Sequence, residues 1–265
     1  MNYLKKFGIE YNPFVKSKDI KLELSEYKQV LFRLKHLTDI KGIGIITGEP
    51  GLGKTTAVRY WINSLNKNMY KVIYIPHSTL TVMEFYRLLS DEFSLEVSHS
   101  KRKNFKVIQE EIKRLVIEKR ITPVIILDEA NYLPSTVLND LKMLLNFDMD
   151  SKDNVILVLI GQKTFLNTLS LKANEALRQR VSMNYNISSL DKEEARYYID
   201  QKLQAAGLNT PIISDEAYNQ IINSAGGVPR LINQVMDKAL LLLCNYKVDE
   251  ISQDIAMEAI NEVAL

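Results

Sequence analysis

Residues 42–56 have the sequence GIGIITGEPGLGKTT, in which a glycine-rich loop joins two segments of different periodicity. The GIGIIT segment is typical of a buried strand, and the TTAVRYWINSL segment that begins at Thr55 has helical periodicity. Between them Gly48, Gly53, Lys54 and Thr55 satisfy the pattern G-x-x-x-x-G-K-[ST]. Glycines let the backbone present successive N–H groups to phosphate oxygens, and the following helix adds the positive end of its dipole. The stretch therefore predicts a phosphate-binding loop.

The members of this loop, residues 48–56, have separate expected roles. Lys54 is expected to reach the β and γ phosphates of a nucleotide, and the Thr55 hydroxyl is expected to bind Mg²⁺. ATP and Mg²⁺ are the ligands that this pattern predicts. The other residues expected to surround the phosphates are Gly48, Glu49, Pro50, Gly51, Leu52, Gly53 and Thr56.

Two adjacent acids follow a second apolar segment, TPVIILDE at residues 122–129. Asp128 is placed to bind the metal through its water shell, and Glu129 to orient and deprotonate an attacking water. The alternative is that the two acids cap the next helix, but capping does not need both. The adjacent pair therefore favours hydrolysis over nucleotide binding without turnover.

Between residues 42 and 190, short β-branched apolar segments alternate with longer segments of helical periodicity. This alternation predicts an α/β fold, a three-layer αβα sandwich around a parallel sheet. From Asp191 onward only helical segments remain, which predicts a small all-α lid domain. The expected parts are an N-terminal segment with the first helix (residues 1–40), an ATPase domain (41–190) and the helical lid (191–265).

The overall composition sets broad limits on function. A chain of 265 residues with 46% hydrophobic and 25% charged side chains is ordinary for a globular protein. Its longest apolar runs fall short of the roughly 18 to 20 residues that span a bilayer, and its first residues lack the apolar stretch of a secretory signal. We therefore expect a cytoplasmic location and no membrane partner. The net charge of +2 neither demands nor excludes nucleic acid.

In their order and spacing, several motifs resemble the AAA+ superfamily, and within it the ExeA-like group and the related transposition ATPases. The resemblance covers essentially the whole chain. The motifs are FGIEYNPF (7–14), TGEPGLGKTT (47–56), ILDEANYL (126–133), LIGQ (159–162), LRQR (177–180) and GGVPRLIN (226–233).

The resemblance implies roles for residues outside the phosphate loop. In such proteins a polar residue at the tip of a central strand senses the γ phosphate, and here that position is Gln162. An arginine before the last strand completes the site of a neighbouring subunit, and the candidates are Arg180, which we prefer, and Arg178. The planar guanidinium suits this role because it donates several hydrogen bonds to phosphate oxygens.

Two further segments have roles implied by the resemblance. Arg230 matches a second sensor on a lid that moves when a triphosphate is present. Pro13 and Phe14 match a segment that borders the adenine, although a Phe after a Pro can equally be simple packing.

For the process served, three interpretations stay open. One is a regulator of transposition that assembles with ATP as a ring or filament on double-stranded DNA and recruits a transposase or other recombination protein. Another is an ExeA-like secretion ATPase, and a helicase-loader ATPase is a third. Lys101, Arg102 and Lys103 lie in SHSKRKN (98–104), which we expect to be an exposed loop able to touch DNA phosphates. His77 and Ser78 mark another loop that could face a central channel.

Overall fold

The computed structural model describes residues 4–16, 20, 22–76, 79–148, 151, 153–208 and 210–264. The chain divides into two compact units. The sheet unit comprises residues 29–50 and 54–187, and the helical unit comprises residues 1–28, 51–53 and 188–265. The loop with His77 and Ser78 lies outside the described residues.

The sheet unit is built on a parallel sheet, as predicted. Its described strands follow the order β2-β3-β4-β1-β5, and every pairing between neighbours is parallel. The strands are β1 (Gly42–Gly48), β2 (Tyr70–Ile75), β3 (Thr122–Leu127), β4 (Ile156–Gly161) and β5 (Val181–Ile187).

Burial along the strands shows why the central segments lack a polar face. Every residue of β1 and β4 is buried, and in β3 only the first residue is partly exposed. Strands of this kind are covered by helices on both faces. The edge strands β2 and β5 are less buried and contain buried, partly exposed and exposed positions. The predicted three-layer αβα architecture is confirmed.

Helices follow the strands of the sheet unit. They are α2 (Lys54–Ser64), α3 (Val82–Glu92), α4 (Lys101–Ile117), α5 (Ser135–Leu144), α6 (Thr164–Ser170) and α7 (Glu175–Arg178), and α1 (Ser25–Ile40), which precedes β1, contributes residues to both units.

The expected loop at residues 98–104 is wrong for its second half. Helix α4 begins at Lys101, because the Ser100 side chain caps it by accepting from the Lys103 N–H. Asn104 is buried, and its amide both accepts from the Ser98 N–H at 2.8 Å and donates to the Ser98 carbonyl at 2.9 Å. A serine cap and a buried asparagine thus convert a polar, basic stretch into the first turn of a helix.

The helical unit contains α8 (Lys192–Ala205), α9 (Asp215–Ala225), α10 (Pro229–Tyr246) and α11 (Gln253–Val263). Asp191 and Ser214 cap α8 and α9, and Gly226 ends α9 in the left-handed conformation. The N-terminal segment belongs to this unit, and the Tyr11 hydroxyl donates to the Ala205 carbonyl at 3.0 Å. None of the described helices has the length and apolar character needed to cross a membrane.

Candidate nucleotide-binding site

The carboxyl ends of three central strands bring most of the sequence-predicted residues to one edge of the sheet. β4 pairs with both β1 and β3, so the residues after these strands are neighbours. The phosphate loop follows β1, Asp128 follows β3 and Gln162 follows β4. In parallel sheets this edge is where ligands bind.

The lysine of the phosphate loop is held by the loop itself. Lys54 is the first residue of α2, and its Nζ donates to the carbonyl oxygens of Gly48 at 2.8 Å and Glu49 at 2.9 Å. The ammonium group is thus positioned at the start of the helix, where the dipole and the loop amides favour an anion.

Two glycines of the loop are required by space as well as by conformation. Gly51 and Gly53 have φ of +89° and +86°. A Cβ on Gly53 would lie 2.2 Å from the Tyr27 hydroxyl oxygen, and one on Gly51 would lie 2.8 Å from the Arg230 Cβ. Residues 51–53 group with the helical unit, where the Arg230 N–H donates to the Gly51 carbonyl at 3.3 Å.

The two residues predicted to hold Mg²⁺ are joined directly. The Thr55 hydroxyl donates to Asp128 Oδ2 at 2.8 Å, and Asp128 is only 6% exposed. Its other oxygen, Oδ1, accepts from the backbone N–H of Glu129 at 2.8 Å. A hydroxyl and a carboxylate are the oxygen ligands that suit Mg²⁺, and nucleotide phosphates and waters would complete its shell. The residues present therefore fit a magnesium nucleotide.

Among the described residues no group of three or more His, Cys, Asp or Glu side chains could hold a metal ion by itself. A site that relies on the substrate's own phosphates does not need such a group.

Glu129 has an unusual backbone conformation. Its φ and ψ of 53° and 41° lie in the left-handed region, which is uncommon for residues other than glycine. Its side chain is exposed and makes no capping hydrogen bond to the short 3-10 turn Ala130–Tyr132 that follows. The capping alternative therefore has no support at Glu129, and the carboxylate is available at the strand edge beside Asp128.

Gln162 is anchored by a residue that sequence reasoning missed. Its backbone N–H donates to Asn131 Oδ1 at 3.0 Å, and Asn131 lies in the turn that follows Glu129. This hydrogen bond ties the end of β4 to the segment that carries the acids. The only sequence signal for it was a polar side chain two positions after the acidic pair.

Tyr74 was also missed. It lies on β2, and its hydroxyl donates to Asp128 Oδ2 at 2.8 Å, the same oxygen that accepts from Thr55. Burial and the nearby carboxylates of Asp128 and Glu129 raise the pKa of Tyr74 above its ordinary value, so the phenol keeps its proton. A tyrosine in an apolar strand is an ordinary packing residue by sequence alone, so no pattern indicated this contact.

The two candidate arginines before β5 have different surroundings. Arg178 is exposed at the end of α7, whereas Arg180 is partly buried and its Nη1 donates to the Lys142 carbonyl in the last turn of α5 at 3.0 Å. Burial lowers the pKa of the Arg180 guanidinium. The contact holds the Arg180 guanidinium at a helix carboxyl end, where a cation is favoured.

Residues of the helical unit were also expected near nucleotide. Arg230 is exposed in the first turn of α10, directly after Pro229, which occupies the first helical position. Phe14 is 5% exposed, and the Lys202 ammonium lies 5.2 Å from its ring centroid. Pro13 is also buried. The packing of Phe14 within its own unit is thus extensive.

The three residues predicted to contact DNA have different surroundings. Lys101 Nζ contacts both carboxylate oxygens of Asp140, at 2.7 and 2.8 Å, and the Asp140 side chain is 3% exposed. Arg102 and Lys103 are exposed on the same helical turn. The charge of Lys101 is thereby neutralised in part, whereas those of Arg102 and Lys103 face solvent.

A comparison with known families identifies the sheet unit. Residues 38–169 match the family described as AAA domain. This chain contains an AAA domain. The match spans β1 to β4 and includes the phosphate loop, the acidic pair and Gln162. Together with the strand order, it gives the sheet unit the AAA+ fold that the motifs predicted.

A curated relative supports the ExeA side of the resemblance. Over 247 residues the chain is 32% identical to General secretion pathway protein A of Aeromonas hydrophila, covering 90% of this chain. The chain spans 44%, less than half, of that protein.

Solved structures share the fold at low sequence identity. Cdc6p from Pyrobaculum aerophilum matches with a TM-score of 0.76 at 18% identity, over 95% of this chain and 70% of that one. The ORC1 protein of Aeropyrum pernix, solved in complex with DNA, matches with a TM-score of 0.71 at 14% identity, over 95% and 68%. These likenesses concern the fold.

Proposed function

We propose that this AAA+ chain hydrolyses ATP to ADP and phosphate with Glu129 as the general base. The observation that carries the proposal is the Asp128 carboxylate, held by the Thr55 hydroxyl at 2.8 Å with Glu129 as the next residue. One acid positioned for the metal and an exposed acid beside it form the arrangement that water activation requires.

The side chains would divide the work as follows. When nucleotide binds, the Lys54 ammonium would leave the carbonyl oxygens of Gly48 and Glu49 and donate to the β and γ phosphates. Glu129 would take a proton from the attacking water. Gln162 would contact the γ phosphate from the neighbouring strand end. Mg²⁺, when bound, neutralises charge on the phosphate oxygens.

Two substitutions test this assignment. Lys54→Ala should weaken binding of a fluorescent ATP analogue by at least 100-fold, because residues 48–56 then lack a basic side chain for the phosphates. Glu129→Gln should bind the analogue like the wild type while phosphate release falls by at least 100-fold, since the amide cannot accept the proton. Wild-type turnover in Glu129→Gln would rule out Glu129 as the base.

We further propose that the active form is a homo-oligomer, a ring or a filament, in which Arg180 contacts the nucleotide of the next copy. The position of Arg180 directly before β5, where the resemblance places the arginine that completes a neighbouring site, supports this choice. Arg178, exposed and two residues earlier, is the alternative. Arg230 is proposed to report the nucleotide state, and its backbone bond to Gly51 of the phosphate loop supports this role.

For the process coupled to hydrolysis, two candidates have separate support. Assembly on double-stranded DNA as a regulator of transposition, with a transposase as partner, is supported by the exposed Arg102 and Lys103. A secretion-type role is supported by the relative at 32% identity, whose name places it in a general secretion pathway.

One titration separates these candidates. Duplex DNA is added to the chain with a non-hydrolysable ATP analogue, while fluorescence anisotropy reports binding and light scattering reports particle size. The DNA role predicts nucleotide-dependent binding that weakens steeply as salt rises. The Lys103→Ala variant should bind DNA more weakly than the wild type and should bind nucleotide equally well. If no DNA binds at low salt, the transposition role fails and the secretion-type role remains.

A further inference from the structure

We propose that Tyr74 is a positioning residue of the magnesium nucleotide site, acting through Asp128. The inference rests on the proposed function, because it assigns a role within the same site. Its basis is the hydrogen bond from the Tyr74 hydroxyl to Asp128 Oδ2, 2.8 Å long, which reaches from a strand that carries no other residue assigned to the site.

The register of the sheet explains why Tyr74 reaches this carboxylate. Tyr74 of β2 pairs with Ile126 of β3, and Asp128 lies two residues further along. Because side chains alternate between the faces of a strand, Tyr74 and Asp128 are on the same face. The neighbours Ile73 and Ile75 point to the other face and are at most 3% exposed, whereas Tyr74 is 38% exposed.

The direction of each hydrogen bond follows from the chemistry of an ionised carboxylate, which only accepts. Both the Thr55 hydroxyl and the Tyr74 hydroxyl must therefore donate to Oδ2. A hydroxyl that gives its proton to Asp128 keeps its oxygen lone pairs for a metal ion. Tyr74 helps to hold Oδ2 where Thr55 can donate to it, and so helps to keep the Thr55 oxygen oriented as a ligand.

Removing the Tyr74 hydroxyl should therefore weaken the binding of Mg²⁺ and leave the binding of the phosphates unchanged. Without it, Asp128 retains the Thr55 and Glu129 contacts but gains freedom to rotate about its terminal bond. A hydrogen bond to a charged group of this kind corresponds to about a tenfold change in an equilibrium constant. Lys54 and the loop amides hold phosphate oxygens without Tyr74, so binding in the absence of Mg²⁺ should not change.

The experiment measures binding of a fluorescent ATP analogue to the full chain, first in EDTA and then across a MgCl₂ titration. Tyr74→Phe is expected to bind the analogue like the wild type in EDTA and to need about tenfold more Mg²⁺ for half of the magnesium-dependent gain in affinity. Tyr70→Phe, the same change at the start of the same strand, is the matched control and should follow the wild type. Thermal melts verify that both variants fold.

A double-mutant cycle distinguishes positioning through Asp128 from a general effect on β2. In the Asp128→Asn background, adding Tyr74→Phe should change the Mg²⁺ dependence less than twofold, because the carboxylate that Tyr74 acts on is gone. A tenfold effect in both backgrounds would overturn the inference. So would a Tyr74→Phe titration that coincides with the wild type.

Failure of the proposed hydrolysis would look different. If the wild type binds the analogue in a magnesium-dependent way but releases no phosphate, the proposed function fails while the binding titrations still decide the role of Tyr74. If Mg²⁺ adds nothing to wild-type binding, the role of Tyr74 is overturned whatever the turnover.

Discussion

At the scale of single residues, the left-handed backbone conformation of Glu129 lowers the stability of the folded chain, and Glu129 is the proposed general base. A residue other than glycine in the left-handed region lowers stability by about 1 kcal/mol. Such strain persists where neighbouring contacts fix the backbone. The neighbouring hydrogen bond from the Glu129 N–H to Asp128 Oδ1 is one such constraint. Stability and catalysis should therefore conflict at this position.

A pair of substitutions measures that strain. Glu129→Gly should be more stable than Glu129→Ala by about 1 kcal/mol in urea unfolding, because glycine adopts a positive φ without a Cβ penalty. Both variants should lack turnover. The same pair at Glu110, inside α4, should show the opposite order, because glycine is the poorer helix former. An equal stability of the two Glu129 variants would mean that the backbone is not strained there.

The role of a residue could be predicted from the sequence only where the residue belongs to a recognisable motif. Lys54, Thr55 and the adjacent acids lie in short motifs whose spacing carries the chemistry, and the structure joins Thr55 to Asp128 as that chemistry requires. Tyr74 and Asn131 could not be predicted. Their contacts depend on strand order and register, which place residues distant in sequence beside Asp128 and Gln162.

At the scale of elements, the start of α4 shows where composition misleads. A polar, basic stretch is typical of a loop, and three basic residues in a first turn oppose the helix dipole. The helix nonetheless begins at Lys101, since Ser100 caps it and Lys101 pairs with the buried Asp140 of α5. The strands β1, β3 and β4, by contrast, were predictable because continuous apolar segments ending in glycine or acids have few alternatives.

The Lys101 pair predicts a contrast between neighbouring lysines. Lys101→Ala should lower the free energy of unfolding by about 2 kcal/mol, because the carboxylate of Asp140, 3% exposed, would lose its ion-pair partner. Lys103→Ala, one half-turn away and exposed, should stay within about 0.5 kcal/mol of the wild type. Urea unfolding of both variants checks this, and equal stabilities would show that the ion pair contributes nothing.

At the scale of the whole molecule, the chain comprises a sheet unit and a helical unit, and the phosphate loop has residues in both. Residues 51–53 group with the helical unit through contacts that include the Arg230 N–H and the Gly51 carbonyl. The family match over residues 38–169 and the strand order establish the AAA fold of the sheet unit, and the proposed oligomer rests on the position of Arg180 before β5.

We propose that Glu129 of one copy and Arg180 of its neighbour act on the same ATP. Mixing two inactive variants tests this. Glu129→Gln keeps the arginine but lacks the base, and Arg180→Ala keeps the base but lacks the arginine. In an equal mixture, roughly a quarter of the interfaces between copies would combine an intact base with an intact arginine. We expect phosphate release from the mixture to be well above that of either variant alone. Release no greater than the average of the two separate variants would contradict it.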